Sequence, residues 1–229
     1  MRKIISAFFA SLCLVASQVP AQSADVSFSV GLAANQGGYH AVGTEFINQT
    51  ADQSMANTTQ EAGVFEDSHP SIFVELNVGD NMTVGYEYAL EDLETPKNTH
   101  IKLDKRTGAA SGTLRTNTAQ ATFSDKQTAY IQARLLGGLY TKIMYHSVDV
   151  TTNESLGTGG AYGDVSIEGL GLGLGYQHDL EDLNMFIRAE VTASGYDSVE
   201  AVNTNDVMKR IEITDMYGAE GSIRLGYAF

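Results

Sequence analysis

Tryptophan is absent from the 229 residues, and cysteine occurs once, at Cys13. Proline occurs three times, at Pro20, Pro70 and Pro96. Basic residues are scarce, with 14 Lys and Arg against 28 Asp and Glu and a net charge of −14. Each shortage closes off a class of function. One cysteine makes no disulfide framework and no cysteine-ligated metal site. An acidic chain lacks the basic patch that nucleic-acid binding requires. Beyond the first fifteen residues there is no apolar run long enough for a transmembrane helix, which needs about 18 residues.

The start of the chain has the order of an export signal. Arg2 and Lys3 precede the apolar run Ile4 to Val15, and small residues follow at Ala21 and Ala24. This order predicts a signal peptide over 1–21, with cleavage as late as 24 as the alternative, and a single domain over 22–229. Cys13 lies inside the apolar run and is lost with it. Loss of Arg2 and Lys3 takes the net charge from −14 to −16.

The remaining chain is dominated by alternation. Val26, Phe28, Val30 and Leu32 share one strand face, as do Ile72, Val74, Leu76 and Val78. The same period of two runs through Met82 to Tyr88, Ala129 to Leu135, Leu139 to Tyr145, Leu170 to Tyr176 and Met185 to Ala193. The last such row is Tyr217, Ala219, Gly221, Ile223, Leu225, Tyr227 and the terminal Phe229. Side chains alternate faces along a strand, so each segment presents one apolar and one polar or small face. A membrane β-barrel wall needs that division, apolar to lipid and polar to the lumen.

Eight segments appear, joined alternately by short turns near 79–81, 136–138 and 179–184 and by long polar stretches near 35–69, 91–126, 151–163 and 197–213. The fold class expected is all-β: a closed, up-and-down, antiparallel transmembrane β-barrel with eight strands. Within the long stretches, 39–47 and 113–123 either extend neighbouring strands above the membrane or form an extra hairpin, which makes ten. Residues 85–93 resemble residues 175–183, but strand direction places Leu90 at the outer side and Leu180 at the periplasmic side, so the match is taken as coincidence.

Three stretches carry a family resemblance. Gly169 to Val191, Phe73 to Tyr88, and Arg224 to Phe229 resemble small porin-family outer-membrane proteins with the OmpA/OmpX-like barrel. The likeness is of pattern and spans roughly a quarter of the chain. It implies location in the outer membrane of a Gram-negative cell envelope, contact with membrane lipid and lipopolysaccharide, and delivery by the barrel-assembly machinery through the C-terminal strand. Tyr227 and Phe229 are the expected assembly signal. The resemblance implies no particular activity.

Candidate chemistry is sparse. The five histidines show no metal-ligand spacing. His69-Pro70-Ser71 sets a histidine and a serine on one face, but Pro70 is better read as a strand start. No catalytic residue, metal or cofactor is expected. The inward set is more informative: Glu75, Glu87, Glu168, Glu190 and Glu220 with Arg134, Lys142, Arg188 and Arg224. Charges in a narrow lumen must pair, since each unpaired ion costs roughly several kcal/mol. Arg224 is expected in a carboxylate cluster with Glu190, with Glu220 a further candidate. These charges are expected to plug the barrel, giving a structural and surface-interaction protein; the alternative is a narrow porin-like channel for ions or small solutes. The partner of the outer loops is not legible.

Overall fold

A computed structural model describes residues 26–47, 57–104, 113–155 and 161–229. The leader expected over 1–21 lies outside them. The strands are β1 (Val26–Ile47), β2 (Asn57–Val78), β3 (Met82–Ala89), β4 (Leu93–Glu94), β5 (Asn98–Asp104), β6 (Thr113–Arg134), β7 (Leu139–Ser155), β8 (Val165–Leu180), β9 (Met185–Tyr196), β10 (Val199–Val202) and β11 (Lys209–Ala228). Eight of them form a ring in the order β1-β2-β3-β6-β7-β8-β9-β11, and β11 pairs back onto β1. The chain is a closed, up-and-down, antiparallel transmembrane β-barrel.

The three short turns lie at one end. Gly79, Gly137 and Gly138 adopt positive φ there, and Asn184 closes the turn after Leu183 with φ 52°. The outward rows are those set by the alternation. Leu32, Ile143 and Leu172 are 60–64% exposed, while their chain neighbours face a filled interior. A ring of such rows forms an apolar belt, which lipid covers.

The long polar stretches differ from expectation. They are mostly strand: β1 runs to Ile47, β2 begins at Asn57, and β6 begins at Thr113. Residues 39–47 and 113–123 extend neighbouring strands, so the ring keeps eight. β4 and β5 continue the line of β3 along β6, and β10 lies along β11. Pro70 therefore lies within β2 and does not start it.

Above the belt the wall turns inside out. Val148, Val150, Ile167 and Met216 form a buried apolar cluster inside the barrel, packed with Phe123, Ile213 and Tyr196. On β7 and β8 the inward row keeps its parity and becomes apolar, whereas on β6 and β11 two bulges change the row. Register shifts between Ser124 and Gln127 on β6, and opposite His40 and Val42 on β11. The extra residues are Asp125 and Asp215, with φ 52° and 50°. Aspartate tolerates this left-handed conformation better than most residues. Tyr88 donates to Asp125 Oδ1 at 2.7 Å. Each bulge shifts the side-chain parity, so that odd-numbered residues such as Phe123 and Ile213 turn inward.

Candidate functional site in the barrel lumen

The lower lumen is built from inward rows of all eight ring strands. Four aromatic rings lie over four glycines, each directly opposite on the neighbouring strand. Phe73 covers Gly31, Tyr130 covers Gly85, Tyr140 covers Gly175 and Phe186 covers Gly226. A Cβ at any of these glycines would overlap the facing ring. The glycines thus give the rings space to lie against the wall, and the rings fill the barrel between the charges.

Two charged circuits run between these rings. Arg188 grips Glu75 with two nitrogens, Nη2 lying 3.0 Å from Oε2. Tyr130 donates to Glu75 at 2.7 Å, Arg188 Nε donates to Gln177 at 2.6 Å, and the guanidinium lies 4.2 Å from the centre of the Phe186 ring. In the second circuit Lys142 meets Glu190 at 2.6 Å, and Tyr140 donates to Glu190 at 2.9 Å. Arg224 pairs with Glu87 and places Nε 3.6 Å from Glu190. Ser71 donates to Glu87 and accepts from Asn35 at 2.9 Å. Lys142, Arg188 and Arg224 are at most 3% exposed.

A third group caps these circuits. Glu220 is held by Lys126 and by the Tyr39 hydroxyl. His146 lies between Thr128 and Ser194, 2.9 Å from each hydroxyl. A cavity of about 20 Å³, room for one water molecule, is lined by His69, Ser71, Lys126, Arg224 and neighbours. His69 Nδ1 and Arg224 Nη1 are buried there without a protein partner among the described residues. At the end that carries the short turns a vestibule of about 380 Å³ is lined by Ser29, Asn77, Thr83, Gln132 and Gln177.

Of the nine charges expected inward, Glu75, Glu87, Lys142, Arg188, Glu190, Glu220 and Arg224 lie in the lumen. Arg134 does not join them; it stands at the vestibule rim, over a third exposed, 3.6 Å from Asp179. Glu168 is a correction. It shares the face of Leu170, two residues further up β8, so it points outward, where it bonds the Tyr145 hydroxyl. The partner of Arg224 is also corrected: Glu87 is its main carboxylate, Glu190 is second, and Glu220 belongs to Lys126. Tyr227 and Phe229 sit on the outer face at the rim of the short-turn end, their rings 5.0 Å apart.

Lys126 is a lumen charge that the sequence pattern missed. It was assigned to a polar loop, yet it continues the inward row Gln132, Tyr130, Thr128 by one step. Ser71 was also passed over; it is a link in the Arg224 circuit.

No protein-family model and no curated protein matches the chain. The fold is similar to solved outer-membrane proteins. OprG from Pseudomonas aeruginosa is 14% identical, with 87% of this chain and 96% of that chain covered at a TM-score of 0.48. Ail, the attachment invasion locus protein of Yersinia pestis, is 12% identical over 91% and 100% of the two chains, at a TM-score of 0.40. The outer membrane protease OmpT from Escherichia coli is 9% identical over 93% and 100%, at 0.43.

Proposed function

We propose that this protein is an outer-membrane barrel with a structural and surface-interaction role, its lumen plugged by paired charges and without enzymatic activity. One observation carries the reading. Four carboxylates, Glu75, Glu87, Glu190 and Glu220, meet four cations, Arg188, Arg224, Lys142 and Lys126, inside the wall. With four rings packed between them, the eight-stranded lumen is filled by its own side chains, as barrels of this width are. The charges cancel, so the chain's acidity is carried by surfaces outside this cluster. The vestibule below and the small cavity above favour a second reading, a narrow pore for ions or small solutes, of which they would be two segments. Planar-bilayer recording of the purified protein tests the choice. A silent bilayer is expected; steady unitary conductance would reject the plug.

Export by a signal cleaved after Ala21, residence in the outer membrane among lipid and lipopolysaccharide, and insertion by the barrel-assembly machinery belong to the same reading. Phe229 supports the last of these. Its N–H donates to the Phe28 carbonyl at 2.8 Å, while its ring is 76% exposed. A ring with so little packing contributes little to the folded wall. Deleting Phe229 is therefore expected to reduce the amount of barrel reaching the outer membrane. The unfolding temperature of the assembled fraction should stay near that of the parent. Quantifying the protein in isolated outer membranes checks this; unchanged amounts would remove Phe229 from the assembly signal.

A further inference from the structure

Among the described residues the upper wall has an opening. β2 pairs with β1 along its whole length, but with β3 only from Ser71 to Val78. Above that level β4 and β5 follow β6. Among the described residues no strand pairs with the other edge of β2 over 57–69. The only prolines outside the leader frame this opening. Leu90 N–H donates to the Pro70 carbonyl at 2.9 Å. The return bond needs an N–H at residue 70, which proline lacks, and the ladder stops there. Pro96 stands between β4 and β5, where the chain leaves β6 and rejoins it.

The Leu90 bond also fixes which backbone groups face the opening. In an antiparallel strand successive residues point their N–H and C=O to opposite sides. The Pro70 carbonyl points toward β3, so residues 68, 66, 64, 62, 60 and 58 point the same way. Ser68 agrees, since its N–H donates to Asp67 Oδ1 at 2.7 Å and not to β1. The lower end of the opening is fastened. Asp67 Oδ2 accepts the Glu94 N–H at 3.0 Å, and Phe65 stacks on Phe123 with ring centres 5.4 Å apart. Above it, Thr58, Gln60, Ala62, Val64 and Glu66 turn their N–H and C=O groups to the open side, and all five residues are exposed. A free strand edge is a template for another strand.

Charge selects the occupant. Residues 57–68 carry Glu61, Glu66 and Asp67 and no basic residue, and Glu91, Asp92 and Glu94 border the lower end, so acidic residues outnumber Lys97 and Lys102 on the β5 side. A second copy would set one acidic edge against another, and like charges on paired strands repel. An extended segment rich in lysine or arginine completes the ladder and meets opposite charge. We propose that the edge of β2 from Thr58 to Glu66 is a strand-addition site for an extended basic polypeptide segment. This rests on the surface-interaction reading and names its surface and partner class.

Amide hydrogen exchange of the protein in lipid nanodiscs tests it, with an acetylated decapeptide alternating lysine and valine as probe. The peptide is expected to slow exchange at Gln60, Ala62, Val64 and Glu66 by about tenfold or more, as newly bonded amides do. A peptide with glutamate in place of lysine should leave them unchanged. Ala62→Pro removes an N–H from the open side only. It should abolish the protection at the other three residues, while continued slow exchange at Thr59 and Gly63 reports an intact hairpin. Slow exchange at the even-numbered amides without peptide, no slowing with the lysine peptide, or equal slowing by the glutamate peptide would overturn the site. A barrel that conducts but still binds the lysine peptide would overturn the plug and leave this site standing.

Discussion

Replacing Arg224 with alanine is expected to lower barrel stability more than any other single change to the lumen charges. Arg224 lies against two carboxylates at once, Glu87 and Glu190. Without it Glu190 keeps Lys142 and Tyr140 in contact, whereas among the described residues Glu87 keeps the Ser71 hydroxyl and only the more distant charge of Lys142. Removing one side of a buried pair costs about 3–5 kcal/mol. The unfolding midpoint in urea, followed by the gel-mobility change of the folded barrel, should fall accordingly. Arg224→Ala with Glu87→Gln should recover most of the loss, because the stranded charge is gone. Arg224→Ala with Glu190→Gln should recover less, because it removes the carboxylate that Lys142 touches and leaves Lys142 the more distant Glu87. Equal midpoints for parent and Arg224→Ala would mean that water, not Arg224, solvates these carboxylates.

Gly85→Val is expected to be strongly disruptive. Its Cβ would stand inside the Tyr130 ring. Overpacking a filled interior costs about 1–3 kcal/mol. Displacing the ring also breaks the 2.7 Å bond from Tyr130 to Glu75. The variant should fold in low yield, read as the fraction of heat-modifiable protein after refolding. Tyr130→Ala in the same chain opens the space again and should restore yield, though not the bond to Glu75. If Gly85→Val refolds as well as the parent, the ring is not pinned over residue 85.

Most of the wall was legible before any coordinates, because a strand between lipid and lumen can satisfy both only by strict alternation. The face of Arg188 follows from that of Ile187, and the face of Arg224 from that of Leu225. Glu168 was misplaced against this same rule, since Leu170 had already fixed its parity. Above the belt the rule weakens. There the outer face meets water and the inner face is apolar, so Thr, Ser and Asn fill the rows and the hydrophobic period fades. The extensions of β1, β2 and β6 therefore read as loops, and Lys126 with them. The bulges at Asp125 and Asp215 shift parity within a single strand, which no fixed period anticipates. Which carboxylate meets which cation was not legible either. Pairing across the lumen depends on the stagger of strands distant in sequence: Arg224 and Glu87 are 137 residues apart.

The reversal of the wall above the belt gives one molecule two responses to temperature. The cluster of Val148, Val150, Ile167 and Met216 is withdrawn from water, and hydrophobic association of that kind weakens on cooling. The leucines and isoleucines of the belt never leave an apolar solvent when the barrel assembles within the bilayer, so that part of the wall lacks this dependence. Cooling loosens the section that stands in water while the embedded section, held by its packed rings and paired charges, keeps its form. The end of the barrel away from the short turns is the cold-sensitive one.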